Sequence, residues 1–232
     1  MKKKRHDFTA ILKANELFGA LGAQTLQKLA SSVRLMRLDP GQILFCEGDC
    51  SNGCYCIVGG ALKISLFSEG GDETLLHVMG KGDILGEMAL VDRLPRSATV
   101  TALKETELGF ISTQQFERLA DSNTEIYRNL LCVMSARLRT SNDKKASQAK
   151  PLHARIAKVL LQLSDGFGET LPDGRIMIRH KFSQAQLGQM AGCARENVNR
   201  QLTVWKRQKL LSQVSRYYCL DDVKALRKEA QL

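Results

Sequence analysis

The chain has 232 residues, 44% of them hydrophobic and 25% charged, with 4 prolines and no low-complexity tract, which excludes a disordered, fibrous or staple-dependent small protein. No apolar run approaches the roughly 18 to 20 residues of a membrane-spanning helix, so no membrane partner is expected. The formal charge of +10 is uneven: residues 151–232 carry 14 basic and 7 acidic side chains against 20 and 17 in residues 1–150, so the last third is either a face for a polyanion or a solvated basic surface.

The basic start Met1-Lys2-Lys3-Lys4-Arg5 has the charge of a signal-peptide front, but Asp7, Lys13, Asn15 and Glu16 interrupt any apolar core behind it, and a cytoplasmic location is expected. From about Arg37 to Ile111, short apolar or alternating runs predict strands at Gln42–Phe45, Tyr55–Val58, Ala61–Phe67 and Thr74–Val78. Glu47-Gly48-Asp49, Gly59-Gly60, Glu69–Asp72 and Gly80–Asp83 supply the turns between them, at the spacing of a compact β barrel or sandwich. Function in such a fold sits in its loops and mouth.

After Ser112 the period changes. Ile126, Leu130, Met134 and Leu138 recur at four-residue steps, with Leu131 and Val133 widening the stripe, across a stretch from about Asn123 to Ala146 that lacks Gly and Pro. This predicts one helix of about 36 Å. Such a helix either packs on its own barrel or presents its stripe to a parallel partner helix, and its length favours a homodimer. The polar run Lys144–Lys150, closed by Pro151, is a candidate hinge. Beyond it the sequence predicts a helix at about 151–164, a Pro172-Asp173-Gly174 turn into a strand at Arg175–Ile178, helices at 183–191 and 195–209, and a strand pair around Leu211–Leu220. That is the order of a winged helix-turn-helix.

Two segments carry the chemistry. In Gly82–Leu90, followed by Pro95-Arg96-Ser97-Ala98-Thr99-Val100, a glycine admits close backbone approach, a carboxylate can accept from a ribose hydroxyl, and an arginine beside a hydroxyl can hold a phosphate. Taken alone, Gly86 is just a turn and Glu87 with Arg96 a salt bridge on the barrel rim, and that plainer reading is the stronger one. In the second segment, Ser183-Gln184-Ala185-Gln186 is a capping box that opens a helix, Gly192 makes a turn, and the next helix buries Val198, Leu202 and Trp205 while Glu196, Asn199 and Arg200 face away, with Arg195 at its start. Arg pairs with the guanine O6/N7 edge and Glu accepts from cytosine N4. Glu196 and Arg200, four residues apart, are also spaced for an ion pair.

Gly86-Glu87-Met88-Ala89-Leu90 and Pro95–Val100 resemble the phosphate-binding cassette of cyclic-nucleotide-binding domains. With Gly41, Glu47-Gly48-Asp49, Gly60 and the winged domain, residues 20–220 resemble the CRP/FNR family of bacterial transcription regulators, on its cyclic-AMP-receptor side. The resemblance implies an α+β protein: an N-terminal cyclic-nucleotide-binding, jelly-roll-like β-roll (1–115), a long dimerisation helix (116–147) and a C-terminal winged helix-turn-helix (148–232). It implies no enzymatic activity and no catalytic residue, metal or cofactor, but an allosteric ligand, cAMP with cGMP left open. The implied partners are double-stranded DNA, a second copy of the chain and RNA polymerase. Arg96 and Ser97 would hold the cyclic phosphate and Glu87 the ribose 2′-hydroxyl, with the Gly86 and Met88 backbones lining the pocket. Ser141 and Asn142 would meet the purine, one helix contributing across the dimer, and the Asn142 amide, where the family's receptor has a hydroxyl, serves adenine or guanine.

The string Gly192–Arg200 resembles the family's recognition helix, whose Arg-Glu-x-x-x-Arg triplet, here Arg195, Glu196 and Arg200, reads a TGTGA-type half-site. Ala194 stands where a hydroxyl cap is usual, a change costing about 1 kcal/mol, and Asn199 stands where the family's receptor has glycine. Ser183 belongs to the DNA-facing set, and Lys206, Arg207, Lys209 and Arg216 are expected on phosphates.

The seven cysteines, Cys46, Cys50, Cys54, Cys56, Cys132, Cys193 and Cys219, are an odd number in a chain too large to need disulfides, so free thiols are expected. The first four leave a second reading open, a redox or metal sensor of the same family, against which stand the lack of a Cys-x2-Cys spacing and the alternation that puts Cys54 and Cys56 on one strand face. No His–Cys or paired-carboxylate constellation supports an enzyme.

Overall fold

The computed structural model describes residues 8–147 and 150–231, without the side chains of 140–147. The chain divides into two compact units, Met1–Thr140 and Ser141–Leu232. The first begins with α1 (Phe8–Ala14) and α2 (Ala23–Ser32), then β1 (Arg34–Leu38), β2 (Ile43–Phe45), β3 (Gly53–Gly59), β4 (Ala61–Phe67), β5 (Glu73–Gly80) and β6 (Ile84–Leu85). The one-turn helix α3 (Ala89–Asp92), β7 (Thr99–Ala102), β8 (Thr106–Ser112), α4 (Thr113–Ser122) and most of α5 (Glu125–Ser147) complete it.

Two antiparallel sheets, ordered β1-β8-β3-β6 and β2-β7-β4-β5, enclose a core in which Leu38, Tyr55, Ile57, Leu85 and Leu108 from one meet Leu62, Val100 and Ala102 from the other. β3 is apolar on both faces because both are covered: Tyr55 and Ile57 point between the sheets, while Cys54, Cys56 and Val58 pack with Leu12, Phe116, Ile126 and Leu130 of the surrounding helices and with Phe18 of the turn after α1. The turn from β3 to β4 requires Gly60, whose φ is +101° and where a Cβ would lie 2.3 Å from Thr106 Oγ1. The four strands anticipated from alternation appear as β2 to β5, each within a few residues, and the long helix as α5.

α5 departs from expectation in its stripe. Ile126 and Leu130 are buried, and with Val133 and Arg137 they form one row, whereas Tyr127, Leu131, Met134 and Leu138 form a second row about 100° round the helix. Leu131 and Leu138 are 67% and 64% exposed, so one helix serves its own roll with the first row and leaves most of the second uncovered, Met134 being half-buried. Helix also continues to Ser147, into the segment expected as a hinge, and residues 148–149 lie outside those described.

The second unit comprises α6 (Leu152–Phe167), β9 (Gly168–Thr170), β10 (Ile176–Ile178), α7 (Gln184–Ala191), α8 (Arg195–Arg207), β11 (Leu211–Val214), β12 (Tyr217–Leu220) and α9 (Val223–Glu229). Its antiparallel sheet runs β11-β12-β10-β9. The core is built from Ile156, Leu160, Ile178, Leu187, Val198, Leu202, Trp205, Tyr218 and Leu226, all at or near zero exposure. No helix among the described residues is long and apolar enough to cross a membrane.

Candidate functional site

β6 pairs with β3 through Tyr55↔Leu85 and Cys56↔Ile84, and the chain then turns at Gly86 with φ +77°. A Cβ at Gly86 would sit 2.3 Å from Arg96 Nη1, so only glycine lets the guanidinium lie against this turn. Arg96 is almost fully buried; Nη1 donates to Gly86 O at 3.1 Å and Nη2 to Gly53 O at 2.9 Å. Its Cζ lies 4.3 Å from the Phe45 ring centroid and 5.6 Å from that of Tyr55. The Glu47–Asp49 turn fixes its backbone: Arg96 N donates to Asp49 O at 2.9 Å and Gly48 N to Arg96 O at 2.8 Å. Burial lowers the guanidinium's pKa, opposed by Tyr55, Cys54 and Glu87, and a buried cation of this kind attracts an anion more strongly than one in water.

Glu87 has no exposed surface, and burial raises its carboxyl above the ordinary range, countered chiefly by the Arg137 guanidinium. Arg137 Nη1 donates to Glu87 Oε1 and Nη2 to Ile84 O. Among the described residues, Glu87 Oε2 and Arg96 Nε are buried without hydrogen-bond partners. Such unpartnered buried atoms are rare in folded proteins, Ser51 Oγ and Arg155 Nε being two others here, and an anionic ligand with a hydroxyl is one way to complete this pair. Ser97 is exposed beside them, its Oγ 3.9 Å from Met88 Sδ, and Met88 is 43% exposed.

The structure thus brings Gly86, Glu87, Met88, Arg96 and Ser97 together around the Gly86 turn. The rim salt bridge between Glu87 and Arg96 does not form; Glu87 is paired by Arg137 instead. The side chains of Ser141 and Asn142 lie outside the described residues. Arg137 escaped the sequence reading, yet it stands 11 residues after Ile126 and 7 after Leu130, on the barrel-facing row where an apolar residue is expected, and that misplaced cation was the available signal.

In the second unit, the Ser183–Gln186 capping box forms in both directions: Gln186 N donates to Ser183 Oγ at 3.1 Å and Ser183 N to Gln186 Oε1 at 2.8 Å. Gly192 ends α7 in the left-handed conformation, and Arg155 of α6 braces this turn by donating from Nη1 to Gly192 O at 3.0 Å. Ala194 caps α8 without a side-chain bond. Val198, Leu202 and Trp205 are buried, while Arg195, Glu196, Asn199 and Arg200 are exposed. The Glu196–Arg200 ion pair that the spacing allows does not form, and neither residue has an ion-pair partner among the described residues. Lys206 Nζ donates to Gln213 Oε1 at 2.9 Å, tying α8 to β11. Ser215 and Arg216, both at positive φ, make the two-residue turn of the β11–β12 hairpin and put Arg216 at its exposed tip.

All seven cysteines are free. Cys54 and Cys56 lie in the core on one face of β3, as alternation predicts, and burial pushes the Cys54 thiol up and that of Cys56 up to about 12. No group of three or more His, Cys, Asp or Glu placed to hold a metal occurs among the described residues.

Comparison with known proteins agrees with both halves. Residues 35–123 match the cyclic nucleotide-binding domain family, and residues 154–229 the Crp-like helix-turn-helix domain family. A CRP-like cAMP-activated global transcriptional regulator of Mycobacterium tuberculosis is 30% identical over 193 residues, 83% of this chain and 86% of that protein. The cAMP-activated global transcriptional regulator CRP of Escherichia coli is 31% identical over 191 residues, 81% of this chain and 90% of that protein. In fold, a CRP/FNR-family transcriptional regulator of Thermus thermophilus superposes with a TM-score of 0.72 at 20% identity, covering 86% of this chain and 99% of the other. Two domain families matched in this order, with such relatives over four-fifths of its length, show that the chain belongs to the CRP/FNR family of transcription regulators, which are not enzymes.

Proposed function

We propose that the chain is a homodimeric, cAMP-gated regulator that binds a palindromic TGTGA-type DNA site in the cytoplasm and works with RNA polymerase. The observation that carries the ligand half is the pair of orphaned buried atoms of opposite charge, Arg96 Nε and Glu87 Oε2, on either side of the Gly86 turn. A cyclic nucleotide is anionic at its phosphate and offers a ribose hydroxyl to a carboxylate, so one molecule satisfies both. Ser97 adds an exposed hydroxyl for the phosphate, and Gly86 and Met88 supply the backbone wall. Ser141 and Asn142 follow Arg137 on α5 by one turn and are assigned to the purine. On this reading the domains are the β-roll to about residue 115, the dimerisation helix to about 147 and the DNA-binding unit beyond.

Ligand reaches the DNA-binding unit through α5, because Glu87 is bonded to Arg137 on that helix. A ligand hydroxyl on Glu87 competes for the carboxylate with Arg137 or joins it, so binding biases where α5 lies against β6. Moving such an equilibrium from 1:99 to 99:1 requires about 5.5 kcal/mol of differential affinity, within reach of a charged ligand bound in two copies. Calorimetric titration tests the ligand assignment: cAMP is expected to bind at one molecule per chain, and heat from neither cAMP nor cGMP would overturn it.

The dimer rests on the row of exposed Tyr127, Leu131 and Leu138 with half-buried Met134, whose spacing is that of a two-helix seam. Leu131→Asp together with Leu138→Asp would bury two charges in that seam. Sedimentation is expected to show the unaltered chain as a dimer and the variant as a folded monomer without affinity for the palindrome. A variant that remains dimeric would place the interface elsewhere.

A further inference from the structure

Outside the nucleotide pocket, one polar contact in the reading head has no structural task. Gln184, the first residue of α7, donates from Nε2 to Asn199 Oδ1 on α8 at 3.1 Å. The two helices are already held together by the Gly192 turn and by buried Leu187, Val198 and Leu202, so an exposed amide pair adds little to their packing. Asn199 shares the exposed side of α8 with Glu196 and Arg200.

A side-chain amide carries one carbonyl oxygen and one NH2 group. Once Gln184 has donated to Asn199 Oδ1, that oxygen keeps a second lone pair and the Asn199 NH2 keeps both protons, so the Asn199 amide still offers a donor beside an acceptor. Exchanging oxygen and nitrogen in both amides has Asn199 donate one proton to Gln184 and keep its other N–H beside a free Oδ1, so Asn199 offers one donor beside one acceptor either way. In the major groove, adenine presents an acceptor at N7 beside a donor at N6, whereas guanine presents two acceptors, cytosine a donor and thymine an acceptor with a methyl group. A donor beside an acceptor is complementary to adenine.

We propose that Asn199, with its amide held by Gln184, selects an A·T pair at one position of each half-site, Gln184 acting as the positioning residue. The inference rests on the reading of α8 as the helix that enters the major groove. It assigns to this chain a base preference beyond those of Arg195, Glu196 and Arg200.

The test is a competition assay of the full-length protein with cAMP against duplexes carrying every single base-pair change across one half-site, at fixed salt. The unaltered protein is expected to favour A·T at one position by about 5- to 100-fold. Asn199→Ala should flatten that position alone, leaving the other preferences and the salt dependence in place. Gln184→Ala should weaken the same preference several-fold with an unchanged thermal midpoint, which a merely structural contact would not do. If Asn199→Ala leaves every preference unchanged, or weakens binding equally at all positions, the inference is overturned while the DNA-binding reading survives. If the unaltered protein prefers no base at any position, both fail.

Discussion

Arg96→Ala is expected to weaken cAMP binding by about 100-fold or more, the largest single-residue effect in the pocket. The guanidinium is largely buried, backed by the Phe45 ring and anchored on the Gly53 and Gly86 carbonyls, so it meets a phosphate already oriented. A charge-assisted hydrogen bond contributes roughly 1.5–3 kcal/mol, and loss of one or two gives that factor. Arg96→Lys keeps the charge but neither the fork nor the stacking, and should recover only part of the loss. Calorimetry reads the affinity, and circular dichroism establishes that the variant folds, since removing Arg96 also leaves two carbonyls short of a donor. An affinity within about threefold of the unaltered chain would remove the phosphate from this residue.

Arg137→Ala is expected to destabilise the first unit by roughly 1–3 kcal/mol at pH 7.5. Breaking a fully buried ion pair costs about 3–5 kcal/mol, and Arg137 is 40% exposed, so solvent screens part of that. The loss should depend on pH with a definite sign. Burial raises the Glu87 pKa in the folded chain above its unfolded value of about 4.3, so its contribution is fully present below that value and is lost as pH rises through the folded pKa. Arg137 holds that pKa down, and its removal raises it further, widening the range over which the buried carboxylate penalises folding. Thermal unfolding between pH 5 and 8 should therefore show a midpoint difference between the two proteins that grows with pH. Adding Glu87→Gln should abolish that growth. A difference constant across this range would mean that Glu87 is not the charge Arg137 neutralises.

The readable parts of the sequence were those where one local rule acts alone. Gly-punctuated alternation located β2 to β5, and the 3.6-residue period with its capping box located α7 and α8 to within two residues. Gly86 and Arg96 read alone as a turn and a rim ion pair; the resemblance to a cassette singled them out, and they are in contact. Wherever two demands fell on one element, the sequence blurred them. α5 carries two apolar rows about 100° apart, and a four-residue step crosses from one to the other, so Met134 and Leu138 read as continuing a row that in fact continues through Val133 and Arg137. Arg137 was hidden because its partner, Glu87, lies 50 residues away, and only the packing of α5 on β6 brings them together. The ion pair of Glu196 with Arg200 was legible as a spacing but does not form, since two exposed side chains gain too little from pairing to fix their rotamers.

DNA affinity with and without cAMP tests the gating of α8 by the β-roll most directly. The full-length chain would be titrated onto a duplex carrying two TGTGA half-sites one helical turn apart, at fixed salt, with no nucleotide and with saturating cAMP. Tightening by at least about 30-fold on the palindrome, with little change on a scrambled duplex and none for Arg96→Ala, is the predicted result. Equal affinity for the palindrome with and without cAMP would contradict it.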